Sequence, residues 1–120
     1  MSQTMIIAKM QPGDAADVAR IFGRYDAGSM PYEIGVTARS LYRFQDLYVH
    51  LIDFDRPADE AMAVAQRLPD FRAVSDELRP YITAYDPNWR SPRDAMAERF
   101  YAWTAQAGQS AGAASTGGRR

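Results

Sequence analysis

Two extended segments joined by a tight turn constrain the fold of this chain more than any other feature. They span residues 33–44 and 47–54 and are rich in the β-branched and aromatic residues that favour strands. The sequence therefore predicts an antiparallel strand pair. The pair carries the single histidine of the chain, His50, between aliphatic neighbours, and Arg39 lies within its first strand. A charged or titratable group at such a position either needs a partner or serves chemistry.

The remaining segments extend this pair into a β-α-β-β-α-β order. Periodicity and turn residues predict a strand over 4–10, a helix over 15–28 capped by Asp14, helical pieces over 59–68 and 71–81 interrupted at Pro69, a loop over 84–92 and a last strand over 95–104. This order is typical of the ferredoxin-like α+β fold, in which two helices cover one face of a four-stranded antiparallel sheet.

The face of the sheet opposite the helices is too apolar to meet only water. One side of the second predicted strand carries Val36, Ala38, Tyr42 and Phe44, and the last predicted strand has aromatic residues on both sides. A sheet with apolar side chains on both faces suggests a second sheet pressed against it. We therefore expect a homodimer with a barrel-like α/β arrangement.

Length, charge and residue content exclude several classes of function. The length of 120 residues suits one domain, and a net charge of −1 argues against nucleic acid or an anionic membrane as the main partner. The chain has no cysteine, and its lone histidine shows no metal-ligand spacing. No phosphate loop, dinucleotide fingerprint, signal peptide or membrane span is visible. We expect a soluble cytoplasmic protein without metal or cofactor, with a domain over residues 1–105 and a Gly/Ala/Ser-rich, disordered tail over 106–120.

His50 and Arg39 are the first candidates for chemistry, and each has a structural alternative. Histidine suits acid–base work because its ordinary pKa is near ~6.5, but His50 shares a strand face with Tyr48 and could be a core histidine bonded to a tyrosine or the backbone. Arg39 shares its predicted face with small residues and could bind a carbonyl or enolate oxygen there. Its alternative is a surface arginine paired with a carboxylate, the choices being Glu33, Asp53 and Glu98.

Tyr25 and Asp26 end the first predicted helix and form the next candidate pair. Helical spacing places Tyr25 on the apolar stripe that faces the sheet. Asp26 lies near the helix C-terminus, where the dipole disfavours a carboxylate, which is a hint of function or simply a solvated aspartate. Many tyrosines and tryptophans of the chain combine an apolar body with a polar tip and could line a pocket for a flat, oxygen-rich ligand, or serve as core.

At these residues the chain resembles a known family, the tetracenomycin F2 cyclase type of aromatic polyketide cyclase from type II polyketide synthase clusters. The resemblance covers about residues 4–104. It rests on the runs PYEIGV from residue 31, RFQDLYVHLI from residue 43, LPDF from residue 68 and FYAW from residue 100, with the Tyr85-to-Trp89 segment.

The resemblance implies a dimeric ferredoxin-like protein and a cofactor-free cyclase acting on a partly cyclised poly-β-ketone, either free or presented by an acyl carrier protein. The family's site positions fall on His50, Arg39 and Asp26. We hypothesise that His50 moves the proton, that Arg39 stabilises an enolate or carbonyl oxygen, and that Asp26 orients the substrate or a water or acts as the second acid/base. Tyr25 stands where the family pattern has a histidine and would donate a hydrogen bond instead. We assign substrate contacts to Tyr48, Tyr32, Met62 and Trp103.

Two other functions stay open from the sequence. One is a cofactor-independent monooxygenase of the same fold acting on an aromatic polyketide. The other is a non-catalytic, polyketide-binding subunit of the synthase complex. The product could belong to an antibiotic or a spore pigment.

Overall fold

The computed structural model describes residues 2–105, so the predicted disordered tail over 106–120 lies outside the described residues. The chain folds into five strands and four α-helices, with short 3₁₀ turns at Pro12–Asp14 and Pro92–Ala95. In chain order the elements are β1 (Ser2–Met10), α1 (Ala15–Asp26), α2 (Met30–Ile34), β2 (Val36–Phe44), β3 (Leu47–Phe54), α3 (Ala58–Ala65), α4 (Pro69–Leu78), β4 (Ile82–Thr83) and β5 (Met96–Ala97).

The sheet is antiparallel and has the order β2-β3-β1-β4, with β5 also paired to β1. Strand β3 is its centre, because it pairs along its whole length with β2 on one side and β1 on the other. The predicted hairpin is confirmed, and its turn residue Gln45 adopts a positive φ of 55°. The predicted α+β, ferredoxin-like order of elements is confirmed as well.

The alternation of side chains along β3 separates the two faces of the sheet. Tyr48, His50, Ile52 and Phe54 are buried beneath the helices, whereas the residues between them point to the other face and are only half-buried. Because a strand presents successive side chains to opposite faces, this single strand fixes His50 on the helix side. The register of the two strand pairs also determines which residues of β2 and β1 lie beside His50 on that side.

Helix α1 is amphipathic and lays one stripe on the sheet. Val18, Ile21 and Phe22 are buried there, and α4 packs beside it through Val74. The predicted break between the two helical pieces is present at residues 66–68, and Pro69 is the first residue of α4, a position that needs no backbone N–H and suits the fixed φ of proline. The core therefore lies between the sheet and the helices, where it surrounds the histidine.

The second strand begins later than predicted. Residues 33–34 belong to the short helix α2, and Gly35 ends it in the left-handed conformation with φ 98°. The register then shifts between Val36 and Ala38, so Val36 faces the helices with Arg39 and packs against the core. The prediction that Val36 shares the opposite face with Ala38 was wrong, because a bulge leaves no sign in a simple alternation pattern.

The predicted last strand over 95–104 was also too long. The strand that forms is Met96–Ala97, which pairs with Met5 and Ile6, while β4 occupies the end of the same β1 edge and Thr104 lies in an isolated bridge. Residues 98–103 form no ladder. Phe100 is 90% exposed and Trp103 is 58% exposed, so no described surface of the chain buries these two aromatic side chains.

Candidate active site

Four polar side chains form a continuous line beneath the helices. Asp26 comes from the last turn of α1, Arg39 from β2, and His50 and Tyr48 from β3. The line joins residues far apart in sequence because α1 crosses the face of the sheet on which the β2–β3 pair presents these side chains. The structure thus brings together three predicted catalytic residues and one predicted substrate contact.

Arg39 is held by a two-point ion pair. Its Nε donates to Asp26 Oδ2 at 2.9 Å and its Nη2 donates to Asp26 Oδ1 at 2.8 Å, while the arginine side chain is only 13% exposed. Such a bidentate pair fixes the plane of the guanidinium as well as its position. The guanidinium carbon also lies 4.8 Å from the ring centroid of Phe22. The alternative of a surface arginine paired with Glu33, Asp53 or Glu98 is therefore not what the structure has.

His50 is buried and bonded at both ring nitrogens. Its Nε2 lies 3.0 Å from Arg39 Nη1, and its Nδ1 lies 3.0 Å from the hydroxyl oxygen of Tyr48. The ring of Phe22 meets the imidazole edge-on, with centroids 5.1 Å apart. The bond to Tyr48 was anticipated as the structural alternative for His50, but the bond to a buried arginine was not.

The surroundings of His50 keep its imidazole neutral. Burial first, and then the positive charge of Arg39, lower its pKa from 6.5 to about 3. An imidazole of this kind has no proton to give as a general acid near neutral pH. It can act as an acceptor through a ring nitrogen.

A cavity of about 170 Å³ adjoins this line at the Tyr48 end. It lies between the start of α1 and the β2–β3 turn region, and its lining residues include Met10, Ala15, Val18, Leu41, Arg43 and Tyr48. The walls are mostly apolar, and Arg43 is anchored at one side by a 3.1 Å bond to the carbonyl of Pro12. Mostly apolar walls with a few polar groups are typical of a small-molecule site.

Tyr25 does not join the line. It packs against the core, but its hydroxyl donates to Glu77 of α4, which also pairs with Arg24. This bond raises the pKa of the Tyr25 phenol and lowers that of Glu77. Neighbouring residues on a helix point about 100° apart, so Tyr25 turns towards α4 while Asp26 turns towards the sheet.

The other predicted substrate contacts are dispersed. Tyr32 in α2 is 79% exposed, Met62 lies half-buried on α3, and Trp103 lies on the exposed C-terminal segment; none of them lines the cavity at Tyr48. Sequence reasoning missed Phe22, which supports both Arg39 and His50. Its membership of the apolar stripe of α1 was the available signal.

No metal-binding cluster of three or more suitable side chains occurs among residues 2–105. Across the same residues, no helix is both long and apolar enough to cross a membrane.

Comparison with known proteins gives a consistent set of relatives. The family model described as polyketide synthesis cyclase matches residues 2–104. An uncharacterized protein of Streptomyces coelicolor is 46% identical over 105 residues, covering 86% of this chain and 95% of the relative. Tetracenomycin F2 cyclase of Streptomyces glaucescens is 40% identical over 103 residues, covering 86% and 94%.

The fold agrees with the sequence comparison. The solved structure of tetracenomycin F2 cyclase, described as a type II polyketide cyclase, superposes with a TM-score of 0.81 at 39% identity, covering 88% of this chain and 99% of that one. The family model, over residues 2–104, includes the elements that carry Asp26, Arg39, His50 and Tyr48. This chain belongs to the polyketide synthesis cyclase family.

Proposed function

We propose that the protein is an aromatic polyketide cyclase that closes a ring of a poly-β-ketone by aldol addition and then promotes loss of water. Membership of the family supports an enzyme, and the observation that carries the proposal is the buried arginine held between Asp26 and His50. The reaction needs no cofactor in principle, because methylenes flanked by two carbonyls are already acidic. The catalyst has to stabilise the enolate and select which carbonyl is attacked.

Arg39 is suited to stabilise the negative charge. Three of its five N–H groups bond Asp26 and His50, and the remaining two have no partner among the described residues. A guanidinium that is largely removed from water acts strongly on an oxygen anion beside it. Asp26 keeps that guanidinium in place and balances its charge when the substrate is absent.

His50 is suited to accept the proton. In the structure, the lone pair of Nε2 is occupied by Arg39 Nη1. We infer that substrate binding draws this N–H to a substrate oxygen, which frees the lone pair, and that the negative charge developing on this oxygen offsets the Arg39 charge that lowers the pKa of His50. The C–H bond of the substrate then breaks, its proton passes to Nε2, and its electron pair forms the enolate beside Arg39. The enolate carbon then attacks the selected carbonyl, and the imidazolium gives its proton to the alkoxide that forms. In the dehydration, His50 takes a second proton from the same carbon and returns it to the hydroxyl, which leaves as water.

The remaining predicted site residues have supporting roles in this proposal. The cavity at Tyr48 holds one end of the substrate, while Tyr32, Met62 and Trp103 contact it only if it extends beyond the line of four side chains. Tyr25 joins α1 to α4 through Glu77 and does not touch the reacting groups in this proposal. For Tyr25 to donate to substrate instead, its hydroxyl would have to leave Glu77.

We also propose that a second copy covers the open face of the sheet. Tyr42 and Phe44 are 56% and 65% exposed there, and Met5 of β1 adds a further apolar side chain. Exposed aromatic residues follow β5 in the chain as well, at positions 100, 101 and 103. Large exposed apolar side chains in such number are typical of an interface.

The test is incubation of the purified protein with the intermediate that accumulates in a producing strain lacking this gene, followed by mass analysis. A product that has lost the mass of water, formed faster than in buffer, supports the cyclase. A gain of oxygen would identify the monooxygenase, and unchanged product ratios would identify a binding subunit. The same incubation with the intermediate attached to acyl carrier protein tests the predicted carrier partner, and fractionation of the producing cells tests the expected cytoplasmic location.

A further inference from the structure

The hydrogen bonds of His50 determine which ring nitrogen carries the proton. A guanidinium has only donors, so the contact between Arg39 Nη1 and His50 Nε2 can exist only if Nε2 accepts. Because the imidazole is neutral, its single N–H must be at Nδ1. That N–H faces the hydroxyl of Tyr48 at 3.0 Å.

The same reasoning assigns the direction of the Tyr48 bond. Since Nδ1 carries the hydrogen, it donates and the Tyr48 oxygen accepts. The hydroxyl hydrogen of Tyr48 is then left without an acceptor among the described residues. Burial raises the pKa of this phenol, so the group keeps its hydrogen near neutral pH. Tyr48 is 4% exposed, and a hydroxyl donor in such surroundings is costly to leave unused.

The cavity lined by Tyr48 offers a place for the missing acceptor. Its apolar walls would hold a ring, and among its lining residues Arg43 is already bonded to the carbonyl of Pro12. We propose that the hydroxyl of Tyr48 donates a hydrogen bond to a carbonyl or enolate oxygen of the substrate bound in this cavity. Tyr48 is in this view a catalytic residue, and His50 orients its hydroxyl by donating from Nδ1 to the Tyr48 oxygen. The inference rests on the proposed cyclase function.

The first experiment needs neither substrate nor variant. His50 is the only histidine, so ¹⁵N labelling of histidine gives one pair of ring signals. We expect a protonated Nδ1 and an unprotonated Nε2 in the wild-type protein at neutral pH. A protonated Nε2 with an unprotonated Nδ1 would reverse the Tyr48 bond and overturn the inference, whatever the protein catalyses.

The second experiment removes only the hydroxyl. Tyr48→Phe is compared with Tyr81→Phe, a partly buried tyrosine whose hydroxyl has no hydrogen bond to the described residues. With the intermediate from the deletion strain as substrate, we expect Tyr48→Phe to lower kcat by about 10²-fold, as loss of an oxyanion donor does, and Tyr81→Phe to leave it unchanged. If the wild type is active and Tyr48→Phe has the same kcat, the donor role of Tyr48 is overturned, while the proposed cyclase function stands.

Two further outcomes need to be distinguished: failure of the proposed function, and failure of the Tyr48→Phe variant to fold. If wild-type protein forms no cyclised product, the proposed function fails, and the donor role of Tyr48 fails with it, whereas the tautomer of His50 is decided independently by the ¹⁵N signals. If Tyr48→Phe does not fold, 3,5-difluorotyrosine at position 48 keeps the shape and makes the phenol a stronger donor. We then expect kcat to rise, and an unchanged kcat would overturn the inference.

Discussion

Lowering the pH should destabilise the protein through His50 in a way that one variant can isolate. The folded protein holds this imidazole neutral, with a pKa lowered from 6.5 to about 3 by burial and by Arg39. In the unfolded chain, the imidazole of His50 binds a proton at its ordinary pKa. Stability from this group is therefore fully present above pH 6.5 and is lost as the pH falls below it, because only the unfolded state gains the proton.

The size of the effect follows from the two pKa values. Between pH 7.5 and pH 5.0 the unfolded histidine becomes almost fully protonated, while the folded one stays neutral. At about 1.4 kcal/mol per pH unit below 6.5, the loss is about 2 kcal/mol, or roughly 30-fold in the folding equilibrium. The midpoint of urea unfolding should then fall by about 1 M, given the slopes usual for small proteins.

The assay is urea unfolding at both pH values for the wild type and for His50→Gln. Glutamine keeps an oxygen that can accept from Arg39 but does not titrate, and the carboxylates common to both proteins cancel in the difference. Protein concentration is held constant, because a dimer would unfold in a concentration-dependent way. If wild type and His50→Gln lose equal stability between the two pH values, His50 is not held neutral and the description of its site is wrong.

Three further perturbations have definite expected outcomes. Gly35→Ala should lower the free energy of unfolding by about 1–2 kcal/mol, measured by urea unfolding, since position 35 has φ 98° and an added Cβ would meet the neighbouring side chains; an unchanged midpoint would contradict this. Phe44→Asp should give a monomer in sedimentation analysis, whereas Ala63→Asp on the exposed side of α3 should not, and a monomeric wild type would remove the proposed dimer. Tyr25→Phe should leave the cyclisation rate unchanged because the lost hydroxyl is bonded to Glu77; a large loss of rate would restore Tyr25 to the reaction.

The sequence predicted the parts of the fold that follow from local patterns. Alternation along β3 and the apolar stripe of α1 are repeated over many residues, and they correctly placed His50 and Phe22 on surfaces that face the core. The shift between Val36 and Ala38 depends on how β2 closes onto β3, and it changed which side chains accompany Arg39. A single inserted residue has no periodic signature, so it was not predictable.

For the site, too, the sequence predicted the residues but not the contacts that depend on how the elements pack. Sequence reasoning named Asp26, Arg39, His50 and Tyr48, but the way they bond depends on where α1 ends above the sheet. One step of helical rotation separates Asp26, which reaches Arg39, from Tyr25, which reaches Glu77. The final aromatic segment failed as a strand prediction because composition indicates apolar character and cannot tell whether the chain or a partner buries it.

The central claim is that the cation of Arg39 stabilises the enolate during ring closure. Arg39→Met keeps much of the side-chain length and removes the charge, and its direct test is the rate of product formation from the deletion-strain intermediate, relative to wild type and to buffer. We expect a wild-type product lacking the mass of water and a loss of rate of about 10²-fold or more in Arg39→Met, with its folded state confirmed by circular dichroism. A folded Arg39→Met protein that forms this product at the wild-type rate would contradict the account.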